Sequence, residues 1–209
     1  MSAPRGPYAK TSAKRQRILE AALAAYAEAG SRKVSVRDIA QRVGMTDTGV
    51  LHHFGSREGL LTAVLEARDA ATTEAFGDSR SDPTVALKVV AGNAATPGLV
   101  KLFVDVAAAA AEPEHPAHAW FTERYADYRR SIADQAAAAL ENGSLADDWR
   151  SAGPEPSRVD VGWVARILLA ATDGLQIQWL LEPDIDMAAD IATLGSVLIK
   201  ALREVNSGQ

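Results

Sequence analysis

Residues 44–61, GMTDTGVLHHFGSREGLL, hold the densest set of groups able to do chemistry: Asp47 between two threonines, the adjacent pair His52 and His53, then Arg57 and Glu58. Imidazoles near a carboxylate suggest a metal centre or proton transfer. Neighbouring residues on a helix point about 100° apart, however, and Asp47 shares the face of neither histidine, so the three do not converge on one ion. A second group, EPEHPAH, sets Glu114, His115 and His118 close together; Pro116 as a first helical residue with His115 at the cap accounts for it without a metal. GMTDTG has the glycine spacing that opens a phosphate-binding loop, yet Val50 and Leu51 stand where Lys and Ser/Thr are required. With no G-x-S-x-G, no H-E-x-x-H and no Cys, the chain offers no catalytic constellation, and no enzyme activity, cofactor or metal is expected.

The elements that must position these residues follow from composition and period. A chain of 209 residues is long enough for a real core in one or two domains. Its formal charge of −5 is unevenly spread: residues 1–60 hold ten Lys/Arg against five Asp/Glu, and residues 61–209 hold twelve against twenty-two. A basic front therefore precedes an acidic remainder, the pattern of a module that meets phosphate joined to a body with another task. The absence of Cys fits a reducing cytoplasm, the expected compartment. The opening MSAPRGPYAKTSAKRQR lacks the apolar core of a secretory signal. The longest apolar segment, VGWVARILLAATDGLQIQWLL, contains Arg166 and Asp173 and so reads as a buried helix rather than a membrane span.

Apolar residues recur at helical spacing nearly throughout, and no run alternates with the period of a strand, so the expected fold is all-α with about nine helices. An N-terminal three-helix helix-turn-helix domain, 1–56, is expected to join a C-terminal helical bundle body, 57–209. In the first helix Ile18, Leu19, Ala22, Leu23 and Tyr26 form one stripe, with Thr11 or Ser12 as N-cap and Gly30 as stop. Lys10, Lys14, Arg15 and Arg17 crowd its expected N-terminus, where positive charge opposes the helix dipole and points to an anionic partner. A short helix capped by Ser35 buries Val36, Ile39, Ala40 and Val43 and ends at Gly44. The next, Asp47 to His53, is capped by Thr46 and anchored by Val50 and Phe54. Two short helices joined by a tight Gly turn make a helix-turn-helix, whose second helix reads the major groove. Ser56 then caps a long helix to Phe76, and further helices are expected at 84–94, 97–111, 116–142, 158–181 and 187–205, with Pro or Gly in every break.

The helix at 158–181 carries two apolar stripes. One is Val161, Val164, Leu168, Ala171, Leu175 and Trp179; the other is Trp163, Ile167, Ala170, Gly174, Ile177 and Leu181. A helix apolar nearly all round must be buried on more than one side. The last helix repeats the trait with Met187, Ile191, Leu194, Leu198 and Leu202. Too few other helices exist to cover these faces, so the two are expected to pack against their copies in a homodimer, with Leu175, Trp179, Leu194, Leu198 and Leu202 at the contact.

Residues 18–61 resemble the DNA-binding domain of the TetR family of transcriptional regulators. The match runs through ILEAALAAYAEAG, VSVRDIAQRVGM and TDTGVLHHFGSREGLL, with the turn Gly44, the HF pair and the basic residue three positions later where the family has them. Two positions depart: Leu51 stands where the family often has Tyr and cannot donate to a phosphate, and Arg57 stands where it often has Lys. The resemblance implies a variable helical body that dimerises through its last two helices and holds a small-molecule effector. It also implies phosphate contacts from Lys14, Ser35, Arg37, Thr46, His52 and Arg57.

On that view Thr48, Gly49, Leu51, His52 and His53 face the groove of operator DNA. Imidazole donates to a phosphate or base edge, Leu51 lies against a thymine methyl, and Gly49 lets the backbone approach closely. Asp47 favours the helix N-terminus or accepts from cytosine. In the body, Phe103, Trp120, Tyr125 and Trp163 are candidate walls of an apolar effector pocket. Asp173 and Gln176 are the candidate polar groups, against a solvated edge or an ion pair of Asp173 with Arg166. The expected function is a ligand-responsive regulator, a repressor, that binds a palindromic operator as a homodimer. The competing reading is a helical scaffold whose basic end binds DNA without sequence preference.

Overall fold

The computed structural model describes residues 7–30, 32–141 and 160–207. Among them the chain forms nine α-helices and no strand, in the order α1 (Pro7–Ala29), α2 (Val36–Val43), α3 (Asp47–His52), α4 (Arg57–Phe76), α5 (Pro83–Asn93), α6 (Pro97–Ala109), α7 (His118–Glu141), α8 (Val161–Leu181) and α9 (Met187–Ser207). The all-α expectation is met. No single helix among the described residues is long and apolar enough to cross a membrane. The expected break GSLADDWRSAGPEPS lies outside the described residues, as does the expected start of α8 at 158.

The starts of α1 and α7 differ from the sequence reading, and other ends shift by one or two residues. Helix α1 begins at Pro7 rather than at a Thr11 or Ser12 cap: Pro suits a first helical turn, and Ala13 to Arg17 are good helix formers that carry it onward. Lys14, Arg15 and Arg17 therefore lie in its second and third turns, away from the N-terminal dipole. Helix α7 begins at His118 rather than Pro116. His115 Nδ1 accepts from the Ala117 N–H at 3.1 Å, and His118 Nδ1 lies 2.9 Å from the Ala110 carbonyl, so local turns use both rings. Among the described residues no three His or acidic side chains gather as for a metal ion.

The chain packs as two compact units, 1–75 with 92–119, and 76–91 with 120–209. This division differs from the expected boundary after residue 56, because α6 returns to the N-terminal helices. In the first unit the α1 stripe of Ile18, Leu19, Ala22, Ala25, Tyr26 and Ala29 is buried together with Ile39, Val50, Leu60, Val64 and Leu65. A β-carbon at Gly98 would collide with the Tyr26 carbonyl and lie 2.9 Å from that of Gly30, so only glycine lets the first turn of α6 sit on the end of α1. Leu99, Val100, Leu102, Phe103 and Val106 then bury the apolar face of α6.

In the second unit Ala136, Val164, Leu198 and Leu202 form a buried cluster, with Trp163, Ile167, Leu168, Leu194 and Ile199 packed around it. Asp160 caps α8 by accepting from the Trp163 N–H at 2.7 Å. The turn before α5 is fastened to α7. Ser131 Oγ and Gln135 Nε2 donate to the Arg80 carbonyl, and the Arg80 guanidinium reaches Asp127 at 3.5 Å.

Candidate nucleic-acid interface

The helix-turn-helix is built from local chemistry that keeps it rigid where it meets solvent. Ser35 Oγ accepts from the Asp38 N–H at 3.2 Å while Asp38 Oδ2 accepts from the Ser35 N–H at 2.8 Å, a reciprocal capping box. Those bonds to Ser35 hold the exposed Asp38 carboxyl below its ordinary range. Gly44 ends α2 in the left-handed region, φ 69°, and the Met45 N–H returns to the Ala40 carbonyl at 2.9 Å. Two residues later Thr46 Oγ1 accepts from the Gly49 N–H at 3.1 Å, and Asp47 in the first turn complements the dipole of α3.

Val50, fully buried, pins α3 to the core. A second pin comes from α1. Arg15 Nη1 donates to the His53 carbonyl at 3.0 Å, and its guanidinium lies 4.3 Å over the Phe54 ring. A cation thus meets the negative end of α3 and an aromatic face together. Arg42 binds Glu28 through both guanidinium nitrogens, at 3.2 and 2.6 Å, tying α2 to α1.

With α3 held from behind, Asp47, Thr48 and His52 are exposed, while Gly49, Leu51 and His53 are half-buried. The two imidazoles stand edge to face with centroids 6.1 Å apart. Lys14, Ser35, Arg37, Thr46 and Arg57 are also exposed. Gly49 has a structural reason besides close approach: a β-carbon there would lie 3.1 Å from Thr46 Oγ1, the capping atom. Arg15, expected with Lys10, Lys14 and Arg17 to point to an anionic partner, instead turns onto the His53 carbonyl and the Phe54 ring. Its place one turn before Ile18 and Leu19, on the line of the buried stripe, was the signal that it faces inward.

The candidate effector residues divide between the units. Phe103 is buried in the first; Trp120, Tyr125, Trp163, Asp173 and Gln176 belong to the second. There Tyr125 O–H donates to Asp173 Oδ2 at 2.6 Å, and Gln176 Nε2 lies 3.5 Å from Asp173 Oδ1. Burial and this bond push the Tyr125 phenol above its ordinary value. Burial raises Asp173, against the opposing effects of the Tyr125 bond and of Arg124. The partner of Asp173 is thus Tyr125 rather than Arg166. Phe121 stacks edge to face on Trp120 at 4.7 Å and lies 6.0 Å from Tyr125, while Trp163 packs into the α7, α8 and α9 cluster. Of the candidate contact residues, Trp179, Leu198 and Leu202 are buried inside the chain, Leu194 packs against the same cluster and Leu175 is half-buried. The large apolar side chains left exposed on α8 and α9 are Ile177, Leu181 and Val197, at 48%, 83% and 41%.

Residues 18–64 match the family model described as bacterial regulatory proteins, tetR family. No curated protein matches the chain. Among solved structures, it is similar to a TetR transcriptional regulator from Rhodococcus sp. RHA1, at 18% identity and TM-score 0.59 over 90% of this chain and 97% of that one. The regulator FadR from Bacillus subtilis, in complex with stearoyl-CoA, aligns at 14% identity and TM-score 0.59 over 88% and 97%. NalD of Pseudomonas aeruginosa, the secondary repressor of the MexAB-OprM multidrug efflux pump, aligns at 19% and 0.53 over 90% and 95%. These likenesses carry the fold, and the family match lies on residues 18–64, the stretch from α1 into α4 that holds the capped and pinned helix-turn-helix.

Proposed function

We propose that the chain is a homodimeric, effector-responsive transcriptional repressor in which two copies of α3 enter successive major grooves of a palindromic operator. The observation that carries this reading is α3 itself: a six-residue helix, capped by Thr46 and pinned by Val50 and Arg15, with Thr48 and His52 exposed. Thr48, Gly49, Leu51, His52 and His53 read base edges, while Lys14, Ser35, Arg37, Thr46 and Arg57 position the domain on phosphates. Asp47 serves the helix N-terminus. The exposed Ile177, Leu181 and Val197 give the second copy an apolar face to cover, and symmetric pairing sets the two reading helices about 34–36 Å apart or more.

The effector reading is supported by the Tyr125–Asp173 pair beside Trp120, Phe121 and Gln176, a half-buried polar group among aromatic side chains. FadR, of the same fold, was solved with stearoyl-CoA. An effector releases DNA to the extent that it prefers the conformation that does not bind DNA. Selection of bound sequences from random duplex DNA at moderate salt tests the reading. Enrichment of an inverted repeat is expected, and binding governed by salt without any enriched sequence would contradict it in favour of a scaffold.

A further inference from the structure

The first unit contains a groove of about 500 Å³ between the end of α1, the start of α4 and α6. Four cations line it, Arg32, Lys33, Arg57 and Lys101, against two carboxylates, Glu58 and Asp105. The carboxylates answer two of the cations: Asp105 binds Lys101 at 2.9 Å, and Glu58 reaches Arg57 at 3.9 Å. Arg32 and Lys33 are exposed and make no side-chain ion pair among the described residues, Arg32 acting only electrostatically on Asp38, so the groove lining keeps an excess of positive charge. An excess of positive charge around one groove favours an anion that joins it.

The Tyr26 phenol lines the same space. The residue is 6% exposed, and its side chain borders the groove. Arg57 and Asp105 both act on this hydroxyl electrostatically, which places it toward the charged side of the groove. Burial pushes the phenol above its ordinary value, so it stays a neutral donor. Leu61, Leu102 and Val106 supply an apolar wall.

We infer that this groove binds a small organic anion, a carboxylate or phosphate ester with an apolar body. The Tyr26 hydroxyl, Arg57 and Lys101 hold its head, and Arg32 and Lys33 neutralise it from the rim. Its occupant would also draw Arg57 away from a DNA phosphate; that consequence alone rests on the proposed DNA reading.

The full chain with ¹³C-labelled tyrosine rings is titrated with hexyl phosphate and with hexanoate, the Tyr26 resonance being assigned from Tyr26→Phe. A saturable shift at Tyr26 is expected with at least one probe, and the tighter of the two names the head group. Arg32→Ala/Lys33→Ala and Lys101→Gln, surface changes that leave the core intact, should each weaken that probe about tenfold. No saturable shift with either probe, or unchanged affinity in both variants, overturns the inference. A Tyr26 response to duplex DNA with none to the probes also overturns it, by assigning the cations to the DNA backbone. None of these readouts requires sequence-specific DNA binding.

Discussion

Arg15 and His53 are joined across the helix-turn-helix: the Arg15 guanidinium donates to the His53 carbonyl at 3.0 Å while stacking 4.3 Å over Phe54. This contact closes the C-terminal end of α3. Arg15→Ala should destabilise the domain by about 1–2 kcal/mol, the sum of a charge-assisted bond and a partly screened cation–π contact. Arg15→Lys should recover only part, since lysine lacks the planar fork. Chemical denaturation monitored over the first unit checks this; unfolding unchanged in Arg15→Ala would show that Val50 alone pins α3.

Thr46 and Gly49 form a coupled pair. Thr46→Ala should cost about 1 kcal/mol for the lost cap. Gly49→Ala would ordinarily gain about 1 kcal/mol of helix propensity, but its β-carbon would press on Thr46 Oγ1 at 3.1 Å. The expected outcome is little net change from Gly49→Ala alone and the full gain in a Thr46→Ala background, measured as a double-mutant cycle. Strict additivity would remove the coupling.

Asp173 predicts a pH dependence opposite to that of an ordinary ion-paired aspartate. Burial raises its folded pKa above the unfolded value, so the folded state holds the proton more tightly. Stability from this group is fully present below about pH 4, the unfolded aspartate range, and is lost as pH rises through the raised folded value. Asp173→Asn still accepts from Tyr125 without a charge. It should therefore melt higher than the native chain near neutral pH and equal to it at acid pH. A variant equally or less stable at neutral pH would contradict this assignment.

Leu181 and Ile177 stand one turn apart on α8, both exposed. Leu181→Glu should shift the chain from dimer to monomer at micromolar concentration in sedimentation velocity. A native chain that is already monomeric, or a variant that stays dimeric, would remove α8 from the contact.

Local chemistry was legible in the sequence. Ser35, Gly44, Thr46 and Ser56 cap or stop helices where their types predict, because each acts on backbone within a few residues. The second apolar stripe of α8 was legible too, and Ile177 and Leu181 on it are uncovered in the single chain. What helical period cannot distinguish is which apolar face turns inward, so Trp179, Leu198 and Leu202, named for the contact between copies, lie in the chain's own core. Likewise the inward turn of Arg15, the seating of α6 through Gly98 and the Tyr125–Asp173 bond join residues far apart in the chain. Spacing alone carries no signal for them.

The central claim is that α3 reads sequence while its basic surroundings supply affinity. The measurement is fluorescence anisotropy of an enriched inverted-repeat duplex and a scrambled duplex, for the native chain, His52→Ala/His53→Ala and Lys14→Ala. The histidine variant should lose most of its preference for the selected duplex, by about tenfold or more. Lys14→Ala should weaken both duplexes alike and flatten the salt dependence by about one ion. A histidine variant that keeps the full preference of the native chain would contradict the account.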